Sequence, residues 1–189
     1  MLINKFLQIL ILWCAFQFIH NGTQAQVVRA EDGAFSYASV SCIIVAPIGI
    51  TKVQDMNFGA IVSGNAGSVI LSPDGNNMLT TGNVSLRTTQ SNFTAATFEV
   101  NDGHDGLTGI NNYSAYSITL PSSDITLVSN EGYTMRVSNF TSSPSSSGNG
   151  TLTNGRGILT VGATLYVNAS QGIGKYVSAA PFPVTVNFD

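Results

Sequence analysis

The chain has 189 residues, only 7 of them Lys or Arg and 10 Asp or Glu, so charged residues make up 9% and the formal net charge is −3. Ordinary soluble proteins carry roughly 25% charged residues, so Ser, Thr, Asn and Gly must cover much of this surface. Without a Lys/Arg cluster the chain is no partner for nucleic acid, and it offers few groups for acid–base catalysis.

The first segment in chain order reads as an export signal. Lys5 supplies a basic start, Phe6 to Ile19 is apolar apart from Gln8 and Gln17, and His20-Asn21-Gly22 breaks the run before Thr23-Gln24-Ala25. A basic start, a short apolar stretch and a small-x-small site make a signal peptidase substrate. The apolar stretch falls short of the roughly 20 residues a spanning helix needs. Residues 1–25 are therefore assigned to a signal peptide, with Gln26 as the mature end and no transmembrane segment after its removal. Lipid attachment at Cys14 is the alternative, but it needs a small residue before the cysteine, and Trp13 stands there. Processing removes Lys5 and leaves 6 basic and 10 acidic residues, a net charge of −4.

Residues 26–39 read as an N-terminal extension carrying Arg29, Glu31 and Asp32, and residues 40–189 as one β domain. Cys42 is the one cysteine left after processing, so no internal disulfide forms. Its neighbours Ile43, Ile44 and Val45 predict a buried thiol acting as a small hydrophobe, with a reactive or intermolecular thiol as the alternative.

From there the chain alternates short Val/Ile/Thr/Tyr/Phe runs with Gly, Asn, Ser and Pro breaks. Strands are predicted at Val40 to Val45 and Ile48 to Val53, hinged at Pro47, then at Phe58 to Val62 and Ser68 to Leu71. Ser72-Pro73-Asp74-Gly75-Asn76-Asn77 is a strong turn signal. Further strands follow at Asn83 to Arg87, Ala95 to Val100, Tyr113 to Leu120, Ile125 to Val128 and Thr134 to Phe140. Thr141 to Gly150 reads as a polar loop, Ile158 to Val167 as a longer strand with a bulge candidate at Gly162, and Pro183 to Phe188 as the last strand. In that last strand Phe182, Val184, Val186 and Phe188 alternate with polar residues or Pro, which places all four on one apolar face. Ala163, Leu165 and Val167 alternate in the same way. No window sustains helical spacing with caps. Many short strands at 8–12-residue intervals predict an all-β sandwich or barrel.

One stretch, Ile50-Thr51-Lys52-Val53-Gln54-Asp55-Met56-Asn57-Phe58-Gly59, resembles the opening of the family known as domain of unknown function 4402, a T-K-x-x-D-L-N-F-G run. Val69-Ile70-Leu71-Ser72-Pro73-Asp74-Gly75, Ala95 to Phe98, Tyr116 to Pro121, Phe140 to Pro144, Val161 to Leu165 and Val184 to Phe188 match further features in order. The resemblance covers about residues 40–189. It implies a bacterial protein with an immunoglobulin-like β-sandwich, similar to spore-coat-U-type and chaperone–usher pilus subunits. It also implies assembly by β-strand addition with itself or related subunits, helped by a periplasmic chaperone. Strand-addition candidates are Phe35 and Tyr37 in the extension and Phe188, the second-last residue, where pilins often place an aromatic.

Other chemistries find little support. Asn101-Asp102-Gly103-His104-Asp105-Gly106 puts Asp102 and Asp105 near each other as calcium candidates, but the EF-hand spacing and distal Glu are missing, and such clusters also make hairpin turns. Zinc needs three or four ligands, and the mature chain has one His, His104, and one Cys. There is no G-x-S-x-G elbow, and Gly172-Ile173-Gly174-Lys175 lacks the spacing of a phosphate loop, with Tyr176 where a hydroxyl for magnesium is needed. Asn-x-Ser/Thr sequons at Asn83, Asn92, Asn112, Asn139, Asn149 and Asn168 are discounted as products of composition. Tyr113, Tyr116, Tyr133 and Tyr166 are candidates for a sugar-stacking platform, against a core or cross-strand role. The expectation is a non-enzymatic, cofactor-free structural or adhesive protein, secreted or held at the outer surface or periplasm of a Gram-negative bacterium. The alternative is a monomeric carbohydrate- or matrix-binding module.

Overall fold

The computed structural model of the protein describes residues 35–42, 44, 46–62, 64–87, 92–103, 113–144 and 148–188. The signal peptide assignment, most of the extension, His104 and Asp105 lie outside them. The chain divides into two units, Met1–Cys42 and Ile43–Asp189. All strands belong to the second, and no helix among the described residues is long and apolar enough to cross a membrane.

Thirteen strands are seen among the described residues: β1 (Gly49–Gln54), β2 (Ile61–Val62), β3 (Gly67–Leu71), β4 (Met78–Gly82), β5 (Ser85–Leu86), β6 (Ala96–Asn101), β7 (Tyr113–Thr119), β8 (Ile125–Ser129), β9 (Thr134–Ser143), β10 (Asn149–Thr153), β11 (Arg156–Val167), β12 (Tyr176–Ser178) and β13 (Thr185–Phe188). Every pairing is antiparallel.

The twelve-residue β11 joins the two layers of a β-sandwich. Along one edge its first half pairs with β6 (Arg156↔Asn101 to Val161↔Ala96) and its second half with β3 (Ala163↔Leu71 to Val167↔Gly67). The transfer falls at Gly162, where a Cβ would overlap the backbone of Leu71, Ser72 and Pro73. Along the other edge β11 meets β10 through a two-residue turn and β9 from Thr160 to Tyr166. In that turn Asn154 and Gly155 have φ of 53° and 76°, the pair of positive values a type I′ hairpin requires. One layer thus runs β1-β6-β11-β10-β7-β13, and the other β4-β3-β11-β9-β8-β12.

Leu159, Val161, Ala163, Leu165 and Val167 share one face of β11, and all are buried. Leu159 and Val161 join Ala96, Val100, Tyr116, Ile118, Leu152 and Val186 in one core cluster. Ala163, Leu165 and Val167 join Phe58, Val69, Leu71, Val84 and Val137 in the other. Met56 and Phe140 pack against both.

Phe140 reaches that position because β9 carries a bulge. The register slips between Gly162↔Thr141 and Thr164↔Ser138, so Asn139 and Phe140 together oppose Ala163. The irregularity falls beside Gly162, as expected, but β9 supplies the extra residue. Asn139 takes a left-handed φ of 52°, which Asn tolerates better than most residues. Its amide donates to the Tyr166 hydroxyl at 2.9 Å.

Several sequence expectations need correction. No strand forms at residues 40–42 or at residue 44, and Cys42 is exposed rather than buried, since that segment joins no sheet. Phe58 to Val62 shrinks to β2, because Asn57 makes only an isolated bridge to Thr94 before the chain meets β5. The loop placed at Thr141 to Gly150 is largely strand, for β9 continues to Ser143 and β10 starts at Asn149. Val186 is buried on the last strand as expected, whereas Phe188 is 38% exposed, because the apolar face runs past the edge of the core. Thr164 is buried beside its apolar neighbours.

Tyr116 is fully buried, and Gly150 opposite it leaves the room its ring fills. Its hydroxyl finds no hydrogen-bond partner among the described residues, and burial pushes the phenol pKa up. An unpaired buried hydroxyl costs about 1–3 kcal/mol, so Tyr116→Phe should leave the midpoint of thermal unfolding unchanged or raise it. A fall of several degrees would show that the hydroxyl is bonded. Asn139→Val should lower stability by about 1–3 kcal/mol, because a β-branched residue resists φ of 52°, whereas Asn139→Gly should cost less in the same denaturant titration.

Candidate functional site

A groove of about 1350 Å³ opens into the second unit between the Lys52–Val62 stretch and the Gln171–Phe182 stretch. Its floor belongs to the core. Phe58, Val137, Leu165 and Val167 are buried there, whereas Met56, Ile125, Leu127, Met135 and Phe140 are only half-buried. Phe140 packs on Phe182 with ring centroids 5.2 Å apart, which closes one end in aromatic surface. Val62, Ile173 and Val177 are 49%, 87% and 53% exposed along the same lining.

The walls are lightly paired strands. Among the described residues β1 pairs only with β6, and β12 only with β8. Between β1 and β2 the chain is tied down by the Asn57–Thr94 bridge, whose two backbone hydrogen bonds are both 2.8 Å. A strand paired on one side presents a row of backbone donors and acceptors on the other. The groove therefore joins an apolar floor to strand edges that can accept a further strand.

One rim is held rigid. Gln171 is buried, and its amide donates to the Thr134 carbonyl at 3.1 Å and to the Tyr176 hydroxyl at 2.9 Å. The Tyr176 hydroxyl donates to the Gly172 carbonyl at 2.6 Å, and the Asn168 amide donates to the Gln171 side-chain oxygen at 3.1 Å. Gly172 lies flat against the Tyr133 ring. Thus the Gly172-Ile173-Gly174-Lys175 stretch is a groove rim with Ile173 at its tip. On the opposite wall Lys52 and Asp55 form an exposed ion pair at 2.8 Å.

The sequence-derived candidates fall in different places. Phe35 and Tyr37, in the first unit, meet edge to face at 5.6 Å and are 52% and 90% exposed. Val40 and Ile44 are 96% and 91% exposed. Phe188 pairs with Tyr116 across β13 and β7 and does not line the groove. Asp102 is 2% exposed and its amide donates to the Gly155 carbonyl, while its calcium partner Asp105 lies outside the described residues. Among the described residues no three His, Cys, Asp or Glu gather as a metal site would require. Of the four tyrosines, Tyr116 is core, Tyr133 packs on Gly172 and Tyr166 stands on the outer face of its sheet; the Tyr113 side chain lies outside the described residues. Sequence reasoning missed Gln171 and Tyr176, since a buried amide network has no local spacing signature.

No curated protein and no solved structure matches the chain. A family model does match, over residues 48–188, which spans all thirteen strands and about three quarters of the chain. The chain belongs to the family described as domain of unknown function DUF4402.

Proposed function

We propose that the protein is an exported structural or adhesive subunit that assembles by β-strand addition, its groove receiving an extended segment of a second copy. The observation that carries this reading is the groove itself, an apolar trough of about 1350 Å³ whose floor is core and whose bordering strands β1 and β12 are each paired on one side. A sandwich with its strands complete would cover Met56, Ile125, Leu127 and Met135, which pack against the core but stay only partly buried.

The occupant is the segment of residues 35–44 from another molecule. Tyr37, Val40 and Ile44 are each 90% exposed or more, the reverse of where β-prone apolar side chains settle in a finished fold. In an extended segment Val40 and Ile44 share one face and Phe35 and Tyr37 the other, so burying the first pair in the groove is worth about 3–6 kcal/mol at about 1.5–3 kcal/mol per side chain. That meets only the lower end of the roughly 4–15 kcal/mol that association costs, and backbone pairing along a strand edge supplies the rest. Head-to-tail insertion is a heterologous contact, so it propagates into a fibre unless its rotation closes a ring. A surface or periplasmic location, and a chaperone that covers the groove before assembly, accompany this reading.

Light scattering and thermal melting of the processed protein test it. Wild type should form concentration-dependent oligomers, and Val40→Asp should remain monomeric with its groove empty. A synthetic peptide of residues 35–44 at about 100 times its Kd should stabilise that variant by about 2.7 kcal/mol. A wild type that stays monomeric and gains no stability from the peptide would sink strand addition through this segment.

A further inference from the structure

The outer face of the β4-β3-β11-β9-β8 layer carries a second concavity, which meets the groove rim through the hydrogen bonds of Gln171 to Asn168 and Thr134. The strand registers place Thr81, Ser68, Tyr166, Arg136 and Thr126 side by side in one row across five strands. Asp124, Thr134 and Asn168 border that row and, with it, line a concavity of about 620 Å³. This size falls within the range of small-molecule sites, about 300–1,000 Å³.

The Tyr166 ring at its centre is fixed before any ligand arrives. Its hydroxyl accepts from the Asn139 amide at 2.9 Å, and the Arg136 guanidinium lies over the ring at 4.1 Å from the centroid. Arg136 also donates to Asp124 at 3.1 Å, so the pair is electrically neutral as a unit. Ser68 and Thr81 hydroxyls bond each other at 2.6 Å in the next two strands. Prior ordering of these groups removes much of the side-chain entropy a ligand would otherwise have to overcome.

The chemistry selects the ligand. A free anion would face Asp124, whose carboxylate already holds the one guanidinium in the row. A metal ion would find one carboxylate where several oxygen ligands are needed. An apolar ligand would cover hydroxyls, an amide and an ion pair whose remaining donors and acceptors then lose water without replacement. A neutral molecule bearing many hydroxyls satisfies all of them. Carboxylate and guanidinium offer planar acceptor and donor pairs, the Ser and Thr hydroxyls do both, and the row steps across the sheet by about 4.8 Å per strand. We infer that this row is a binding site for a neutral saccharide, seated along Tyr166 and held by Asp124, Arg136 and Asn168.

Isothermal titration calorimetry of the purified protein against neutral oligosaccharides tests the assignment. The probes are linear oligomers of glucose, xylose, mannose, galactose and N-acetylglucosamine, with a sulfated oligosaccharide as the anionic control. At least one neutral probe should bind with a micromolar to millimolar Kd. Asp124→Ala and Tyr166→Ala should each weaken that binding tenfold or more, and Val40→Asp should leave it unchanged. Asp124 is exposed, so its variant reports on the site even if the tyrosine variant fails to fold. Binding of the sulfated control alone, binding that Asp124→Ala leaves intact, or no binding by any neutral probe would overturn it. Oligomer formation is read separately, so failure of strand addition and failure of this site are distinguishable.

Discussion

Leu159, Val161, Ala163, Leu165 and Val167 form an unbroken apolar row on β11, and both core clusters are built against it. The layers meet at this strand because it is long enough to serve β6 with one half and β3 with the other. A strand that changes neighbours needs a place where one partner leaves and the next arrives. Gly162 provides it, its missing side chain admitting the backbone from Leu71 to Pro73. Directly across, the β9 bulge turns Phe140 inward to join the clusters and Asn139 outward to Tyr166. One irregularity therefore shapes both the core beneath the groove and the polar row on the outer face.

The groove follows from how the chain spends its strands. β11, β9 and β3 pair on both sides, whereas among the described residues β1 and β12 each pair once. Beyond β1 the chain to Val62 is held by the Asn57–Thr94 bridge, by the Asn57 amide donating to the Asn92 carbonyl, by the Thr94 hydroxyl donating to the Asp55 carbonyl and by the two-residue β2–β5 ladder. Natural sheets blunt exposed edges with charge, proline or bulges. Here β1 carries a bulge at Val53 beside the Lys52–Asp55 ion pair, and Lys175 and Pro181 stand on the opposite border, while the floor between them is apolar. The Gln171–Tyr176 network holds the far rim in place.

Much of the architecture was legible in the sequence because period-two alternation survives wherever one face is buried. Ala163, Leu165 and Val167 read correctly for that reason, and Ser72 to Asn77 closes the β3–β4 hairpin with Gly75 at φ of 70°. β4 itself was missed because Met-Leu-Thr-Thr-Gly lacks a strand-like alternation of its own. β10 was missed although Thr153-Asn154-Gly155-Arg156 carries a hairpin signal between two runs. The burial of Cys42 was misread from its apolar neighbours, since an apolar run reads alike whether it enters a sheet or stays exposed outside one. The groove was not legible at all. It joins residues more than 100 positions apart, from Lys52 to Phe182, and only the topology brings them together.

The placement of β11 near the end of the chain has a kinetic meaning. Its partners β3 and β6 precede it by tens of residues, so its ladders with them are long-range contacts. Chains dominated by such non-local pairings fold in roughly milliseconds to seconds, far slower than helical bundles. Until residues 156–167 are available, β3 and β6 lack their central neighbour and expose apolar faces to one another and to other chains. Between the arrival of β6 and that of β11, the apolar faces of β3 and β6 therefore wait for the strand that joins them.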